Sequence, residues 1–272
     1  MTQIFHYKNY MLVLLMVVAV FNYLDRSVLA LSVESLKQDF DLNDSQIGLM
    51  NGFAFALFYA VAGIPIARWA DRGNRNVVVT LATALWGVMM ALSGLAGNFT
   101  QLLLVRVGIA VGESGCTPPA QSLISDYFAR AERPRAMAIY WMSVPLATIL
   151  AYIAGGWLIE SVGWRMTFII IGIPGVLLAI LVKFTLREPR LGDSKGKSKA
   201  FTSKVPDVEQ ASLKQVVETL WRGRAFRHIT LAFCLSVFFG AGMAMWIPAF
   251  FMRTHGMGAG ELGTWLGLSW GI

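Results

Sequence analysis

Long apolar segments, separated by short polar ones, follow one another along the chain. A helix that crosses a bilayer needs about 20 predominantly apolar residues, and these segments reach that length. Their apolar positions do not alternate with a period of two, which excludes transmembrane β-strands and leaves helices as the structure that satisfies the backbone in lipid. An eighth span begins near Leu262, after seven predicted spans: 10–33, 46–67, 77–97, 101–125, 136–158, 165–186 and 228–251.

The composition is also that of a protein that crosses a membrane several times. Hydrophobic residues make up 56% of the 272 residues and charged residues only 14%, whereas soluble domains carry roughly 25% charged residues. Cys116 and Cys234 lie in apolar segments and match neither a disulfide framework nor a metal site. The first span lacks a cleavage site and is too long for a signal-peptide core, so we expect it to be retained.

The distribution of the basic residues predicts which side of the membrane each loop faces. The net charge is +7, but the Lys and Arg residues cluster between the spans, so they do not indicate nucleic-acid binding. With the N-terminus in the cytoplasm, 18 of the 23 basic residues fall on the inner side, and three, Lys37, Arg165 and Arg253, fall on the outer side. Since inner loops are enriched in Lys and Arg, the N-terminus is predicted to be cytoplasmic.

Residues 189–227 form the predicted boundary between two membrane parts. The six spans of residues 1–188 precede this cytoplasmic linker, and residues 228–272 hold a truncated start of the second part. The stretch from Leu191 to Lys204 is rich in Gly, Ser and Lys, which is typical of a flexible linker. An amphipathic helix on the membrane surface is predicted within residues 209–222, because five apolar residues share one helical face: Leu213, Val216, Val217, Leu220 and Trp221.

Four ionisable residues lie deep inside predicted spans. Asp25 and Arg26 are in the first span, and Arg106 and Glu113 are in the fourth. Each costs roughly 2.5–3.5 kcal/mol at a helix centre on insertion scales. With a rise of about 1.5 Å per residue, both carboxyls lie near the middle of the bilayer. Arg106 and Glu113 are two helical turns apart and share a face, whereas Asp25 and Arg26 point about 100° apart.

Two interpretations of these charges are open. In the first, salt bridges tie the first helix to the fourth and have no other role. In the second, Asp25 and Glu113 are water-accessible carboxyls whose protonation is coupled to conformation, because burial and a nearby arginine shift a carboxyl pKa in opposite directions. We favour the second, since the fourth span also carries residues that allow close helix approach or bend a helix: Gly108, Gly112, Gly115, Pro118 and Pro119.

The loop between the second and third spans carries Asp71, Arg72 and Arg75 in the order Asp-Arg-x-x-Arg. An acid at a helix end can accept hydrogen bonds from backbone amides or from Arg, so this motif predicts a latch on the cytoplasmic side. The motif resembles the signature of the major facilitator superfamily between its second and third helices, although Ala67 and Trp69 stand where that signature has glycine and leucine. Asn74 stands where the signature has another glycine. The resulting order, Asp-Arg-x-Asn-Arg, resembles the spinster-like branch of the superfamily.

Other segments also resemble this branch: Asn22-Tyr-Leu-Asp25-Arg26, Arg106 with Gly112-Glu113, Ala154-Gly-Gly156, Gly163-Trp-Arg165 and Arg187-Glu-Pro. The resemblance covers residues 9–255 and implies an all-α transmembrane fold of twelve helices in two six-helix halves, with alternating access to a site between them. The chain holds the first half, the seventh helix and part of the eighth. We therefore expect that it does not transport without the missing half.

The resemblance implies a secondary transporter in a cell membrane, and the bacterial inner membrane is the expected location. It implies proton coupling through Asp25 and Glu113, with Arg26 and Arg106 as partners of a substrate or of these carboxyls. The expected solute is small and organic or amphipathic and lipid-like, such as a lysolipid or a sphingoid phosphate. Four aromatic residues are candidate linings of the cavity: Tyr59, Tyr140, Trp141 and Tyr152. The expected partners are this solute, protons and the lipid bilayer, without a metal, a cofactor or nucleic acid.

The sequence also bears on two rival classes of function. A membrane-embedded enzyme is disfavoured, because His6, His228 and His255 lie at span edges or outside and none is paired with a nucleophile inside a span. The sequence has no Walker loop, which argues against ATP-driven transport. The alternative of a non-transporting half-protein that assembles with or regulates a partner, or of an inactive fragment, stays open. The sequence also leaves open the substrate, its direction of movement and the choice between symport and antiport.

Overall fold

The computed structural model of the chain describes residues 2–189 and 213–270, and helices are the regular secondary structure of this part. The eleven helices are α1 (Thr2–Phe40), α2 (Asp44–Arg72), α3 (Arg75–Ser93), α4 (Phe99–Ser114), α5 (Thr117–Tyr127), α6 (Arg133–Trp141), α7 (Ser143–Leu150), α8 (Gly156–Thr185), α9 (Leu213–Arg222), α10 (Arg224–His255) and α11 (Ala259–Trp270). Two segments are π-helical, Leu49–Ala54 inside α2 and Ala151–Gly155 between α7 and α8. The predicted flexible stretch from Leu191 to Lys204 lies outside the described residues.

Five of the described stretches are long and apolar enough to cross a membrane: Tyr7–Phe40, Asp44–Arg72, Arg75–Ser93, Arg133–Thr185 and Arg224–His255. The stretch Arg133–Thr185 has 53 residues, more than twice the length of one crossing of about 20 residues. It turns at Gly163, whose φ of 79° is strained for other residues but open to glycine. This one stretch therefore contains the fifth and the sixth predicted spans.

The fourth predicted span is divided between α4 and α5, and the break explains why it is not one long helix. The sequence predicted a bend from Pro118 and Pro119, and these prolines lie in the first turn of α5. A proline has no N–H to donate to the carbonyl four residues earlier, so the carbonyls of Ser114 and Gly115 lose their helical donors. The helix accordingly ends at Ser114, one turn before the prolines.

The glycines of α4 allow it to lie close against α3, as the sequence predicted. A Cβ added at Gly112 would lie 2.7 Å from the backbone nitrogen of Trp86 and 3.0 Å from the carbonyl oxygen of Ala82. Gly108 faces Met89 in the same way. This close approach fixes the position of α4, which carries two buried charges, Arg106 and Glu113.

Replacing Gly112 with alanine is expected to lower the free energy of unfolding by about 1–3 kcal/mol, because the added methyl would meet backbone atoms that cannot move aside. Thermal unfolding of the purified protein in detergent measures the effect. Gly240→Ala is the matched control, since its added Cβ meets no atom within 4 Å. Equal stability of the two variants would contradict the tight contact between α3 and α4.

The helix α1 lies in the centre of the bundle and joins its two buried apolar clusters. Toward the end predicted to be cytoplasmic, called the inner end below, Leu15 packs in a cluster with Leu123 and Val182. Toward the other, outer end, Leu29 belongs to a second cluster with Trp86. The helix contacts α6, α7, α8 and α10, and α11 packs on α8. Asp25 and Arg26 lie on α1 between Leu24 and Val28 of the second cluster, beyond Ala19, the last buried α1 residue of the first cluster.

Candidate functional site

Two ion pairs join α1 to α4 inside the bundle. Arg106 Nη1 donates to both carboxylate oxygens of Asp25, at 2.8 Å each. Arg26 donates to Glu113 Oε2 through Nη2 at 2.6 Å and through Nε at 3.2 Å. The four charges that the sequence placed at similar depth are therefore brought together in two pairs of opposite sign.

The two pairs differ in their access to the surroundings. The side chains of Asp25 and Arg106 are 0% and 3% exposed, so this pair lies inside the protein. Glu113 is also 0% exposed, but its partner Arg26 is 44% exposed. The Arg26–Glu113 pair therefore connects a buried carboxylate to an open surface of the described chain.

Each pair leaves one buried polar atom without a hydrogen-bond partner among the described residues. These atoms are Glu113 Oε1 and Arg106 Nε. An unsatisfied buried polar group costs about 1–3 kcal/mol, which is a substantial cost for a purely structural salt bridge. Among the described residues, Glu113 Oε1 is thus an acceptor without a donor, next to the Oε2 that accepts from Arg26.

Aromatic rings surround the exposed arginine. The guanidinium carbon of Arg26 lies 5.5 Å from the ring centre of Tyr23, 5.1 Å from that of Phe55 and 5.6 Å from that of Tyr59. Arg106 lies 5.4 Å from the same Phe55 ring. Cation–π contacts at these distances hold a guanidinium in place and keep its charge. Tyr59 was a predicted site residue, whereas Tyr23 and Phe55 were not predicted.

The three other predicted aromatic residues lie in different surroundings. Trp141 is 42% exposed, and its ring centre lies 6.4 Å from that of Tyr23, so it extends the aromatic surface around Arg26. Tyr140 and Tyr152 are 1% exposed. Their hydroxyls form hydrogen bonds with the side chains of Thr117 and Ser27 respectively. These two tyrosines are packed inside the bundle in the described part of the chain, and their role as a cavity lining stays a prediction.

At the inner end, Arg75 is buried, unlike the other two residues of the predicted latch. Its side chain is 0% exposed and binds Glu188 at 2.5 Å and Asp126 at 2.6 Å, and its Nη1 donates to Ser122 Oγ at 2.8 Å. This network joins the start of α3 to α5 and to the residues that follow α8. By contrast, Asp71 and Arg72 are exposed at the end of α2.

Asp126 and Glu188 were not among the site residues predicted from the sequence. Glu188 is part of the Arg187-Glu-Pro segment that resembles the spinster-like branch, and this was the available signal. Asp126 gave no comparable signal, because it lies 51 residues from Arg75 along the chain and in no recognised motif.

At the outer end, Arg253 in the last turn of α10 forms ion pairs with two other helices. It binds Glu34 of α1 at 2.7 Å and Asp44, the first residue of α2, at 2.8 Å. Lys37 also binds Asp44, at 2.6 Å. A second outer contact joins α8 to α11, where the backbone nitrogen of Gly260 donates to Glu160 Oε2 at 2.7 Å.

The inner half of α10 has a different environment. Ile229, Phe233 and Phe238 are 69%, 68% and 73% exposed. Partly buried residues of α10 that pack on the core begin at Met245 and continue to Met252. Among the described residues, α10 is thus held to the first six spans near its outer end and is separate from them near its inner end.

A helical bundle with five stretches able to cross a membrane and with two charge pairs joining its helices inside has the architecture of a membrane transporter. The residues that the structure describes contain no group of three or more His, Cys, Asp or Glu residues that could hold a metal ion. The family model of the Major Facilitator Superfamily matches residues 15–272, and the chain belongs to this superfamily.

Relatives place the chain in the spinster-like branch and identify it as a member of a transporter family rather than an enzyme family. An "MFS-type efflux pump" from Mycolicibacterium smegmatis is 35% identical over 94% of this chain and 57% of the relative. "Protein spinster homolog 1" from Homo sapiens is 29% identical over 86% of this chain and 44% of the relative. The chain therefore spans about half of the length of these relatives.

A solved structure supports the same assignment. A bacterial homologue of the human lysosomal transporter spinster, in an inward-facing and unoccupied conformation, is 35% identical with a TM-score of 0.82. The match covers 97% of this chain and 59% of that one.

Proposed function

We propose that the chain forms the first half, and the start of the second half, of a proton-coupled secondary transporter that works by alternating access in a cell membrane. The single observation that carries this proposal is the pair of Glu113 and Arg26, in which a fully buried carboxylate holds a half-exposed arginine. The bacterial inner membrane is the proposed location, because the basic residues are concentrated in the loops predicted to be cytoplasmic.

The Arg26–Glu113 pair offers a direct way to couple a proton to a solute. Arginine stays charged at any working pH, whereas a carboxyl can be neutralised. When Glu113 takes up a proton, its attraction for Arg26 is lost, and Arg26 is left with a charge that an anionic group of the solute can neutralise. Binding of a proton and binding of an anion therefore favour each other at this site.

Asp25 and Arg106 form the proposed second coupling pair. Protonation of Asp25 would leave Arg106 without its counter-ion in a site that is almost fully buried. An uncompensated buried charge is costly, so this change would favour a rearrangement of α1 against α4. Because Asp25 and Arg26 are neighbours on α1, a movement at one pair is transmitted to the other.

The proposed solute is amphipathic and carries an anionic group. Arg26 supplies the positive charge, and the rings of Tyr23, Tyr59 and Trp141 supply an apolar surface beside it. An aromatic surface next to a cation suits a molecule with an anionic headgroup and an apolar body. The proposal includes the second half of the protein, since the solute site of such a fold lies between the halves.

The motif of Asp71, Arg72 and Arg75 is proposed to act at the cytoplasmic side. The buried ion pairs of Arg75 fix the ends of three helices to one another, so they move as one unit. Asp71 and Arg72 lie exposed at the edge of this unit, where the other half of the protein approaches when the inner side closes. The latch is thus divided between a rigid base, Arg75, and two surface residues.

A reconstitution experiment tests the proposed function. The full-length protein that contains this sequence is placed in proteoliposomes, and a fluorescent lysophospholipid is supplied with and without an imposed proton gradient. We expect saturable transport that depends on the gradient and stops when a protonophore is added. Transport that continues at the same rate after the gradient collapses would contradict proton coupling.

The same assay with residues 1–272 alone separates the proposed function from its alternatives. We expect no transport, because charged and aromatic residues of the proposed site would lack the second half that completes the cavity. A half-protein that assembles with a partner would recover transport when the remaining half is supplied as a separate chain. Gradient-driven uptake by residues 1–272 alone would contradict the two-half mechanism.

The outer ion pairs of Arg253 predict a shift of conformation when they are removed. In Arg253→Gln, Glu34 and Asp44 lose the cation that joins them to α10, so the outward-open state should become more populated. The measurement is labelling of a cysteine at Asn51, which lies beside Met245 of α10, with a membrane-impermeant maleimide added from outside. We expect labelling to rise severalfold.

Arg165→Gln is the matched control for this prediction. Arg165 is also an outer arginine, but it donates to the carbonyl oxygens of Gly94 and Ala96, which belong to the same half. Its removal should leave the labelling of Asn51→Cys unchanged. If both arginine variants label equally, Arg253 has no special role in closing the outer side.

A further inference from the structure

The short helix α9 presents an apolar face to its surroundings. Val217, Leu220 and Trp221 are 58%, 43% and 60% exposed. Their spacing of three and four residues places them on one side of the helix. Thr219 is about 200° away from Val217 around the helix axis and lies on the opposite, polar side. An apolar face of this kind needs a cover of lipid or protein.

The connection to α10 restricts where this face can lie. Gly223 is the single residue between the two helices, and its extended backbone (φ −71°, ψ 112°) separates the end of α9 from the start of α10. The helix α10 is a candidate membrane span that begins at Arg224. Since one extended residue covers only about 3.5 Å, α9 must lie at the level where α10 enters the membrane.

A cluster of positive charge surrounds this junction. Arg222, Arg224 and Arg227 are exposed and lie within six residues of one another, followed by His228. Between residues 213 and 228 the sequence has one acidic residue, Glu218. Basic residues beside a membrane span attract the anionic headgroups of the inner leaflet. Trp221 belongs to the residue type that is enriched at the membrane–water interface.

We propose that α9 is a binding surface for anionic phospholipids of the inner leaflet. Val217, Leu220 and Trp221 lie among the upper parts of the acyl chains, and the three arginines bind the phosphate groups of anionic lipids. This inference is independent of proton coupling, since it involves none of the residues of the two charge pairs. Its consequence is that lipid holds the inner end of α10 at the membrane surface.

A membrane fits this surface better than a protein partner does. A helix that packs on a folded protein can lie at any distance from the membrane surface. By contrast, α9 is joined through one residue to a helix that enters the bilayer. In a lipid leaflet the acyl chains and the phosphate groups lie next to each other. The apolar face of α9 can contact the acyl chains while the arginines contact the phosphate groups.

Spin labels on the two faces of α9 test the proposal in the full-length protein. Single cysteines at Val217 and at Thr219 are introduced after Cys116 and Cys234 have been replaced by alanine, and the proteins are placed in nanodiscs. One set contains phosphatidylcholine alone, and the other contains phosphatidylcholine with phosphatidylglycerol. Collision rates with oxygen, which enriches in lipid, and with a water-soluble nickel chelate are then measured for each label.

With phosphatidylglycerol present, we expect the label at Val217 to collide often with oxygen and rarely with the nickel chelate. The label at Thr219 should collide often with the nickel chelate and less often with oxygen. The contrast should weaken without the anionic lipid. Each basic residue near an anionic surface favours binding by about fivefold, so Arg222→Gln/Arg224→Gln/Arg227→Gln should remove the lipid dependence. Lys8→Gln removes an inner positive charge far from α9 along the chain and should leave the lipid dependence unchanged.

Three results would overturn the proposal. Equal nickel collision rates at Val217 and Thr219 would show that α9 lies in water. Shielding of Val217 from both reagents would show that protein covers the apolar face. A contrast that is the same in both lipid mixtures would show that the arginines do not bind anionic headgroups.

Discussion

Replacing Glu113 with glutamine is expected to abolish transport driven by a proton gradient in the full-length protein and to leave the protein folded. Glutamine has nearly the same shape and can still accept a hydrogen bond from Arg26, but it cannot take up a proton at working pH. The coupling step at this site is therefore lost, and gradient-driven uptake in proteoliposomes should fall to the level of liposomes without protein. Asp25→Asn is also expected to abolish gradient-driven transport, but it should lower stability as well, because it leaves Arg106 as an uncompensated buried charge.

Glu132→Gln provides the matched control for the chemical change. Glu132 is an exposed glutamate whose Oε1 accepts a hydrogen bond from Lys8 Nζ at 2.8 Å. This contact lowers the pKa of Glu132, so the residue stays ionised during transport. Its replacement should leave the rate unchanged. If Glu113→Gln and Asp25→Asn both transport at the rate of the unmodified protein, these carboxyls do not carry the coupling.

The spans and the buried charges could be predicted from the sequence because both leave a local signal. A run of apolar residues is visible within one window of the sequence, and Asp25 or Glu113 stands out inside such a run. Salt bridges between the first and the fourth helix were one of the two interpretations that the sequence left open, since opposite charges at the same depth attract each other. The match of the family model and the solved relative confirms the fold class.

The partners of Arg75 and Arg253 could not be predicted in the same way. Arg253 and Glu34 are 219 residues apart, and the contact depends on how α10 lies against α1. No local sequence pattern indicates how two distant helices lie against each other. Of the aromatic surface around Arg26, Tyr59 and Trp141 were predicted, whereas Tyr23 and Phe55 were not, because no local pattern shows which apolar-span rings face the arginine.

Replacing Arg106 with methionine is expected to lower the free energy of unfolding by about 3–5 kcal/mol, since it leaves Asp25 as an uncompensated buried charge. Thermal unfolding in detergent measures the loss. Arg68→Met is the control, because Arg68 is an exposed arginine on α2 and its replacement leaves no buried charge behind. A similar loss in both variants would mean that burial of the pair is not the cause.

The double variant Asp25→Leu/Arg106→Met separates the structural interpretation of this pair from the functional one. Replacing both members of a buried ion pair with apolar residues is often neutral or stabilising, so much of the stability lost in Arg106→Met should return. Transport should not return, because the carboxyl at position 25 is gone. If the pair only ties α1 to α4, the double variant will recover both stability and gradient-driven transport. Recovery of stability without transport therefore assigns the pair a role in coupling that its contribution to folding does not explain.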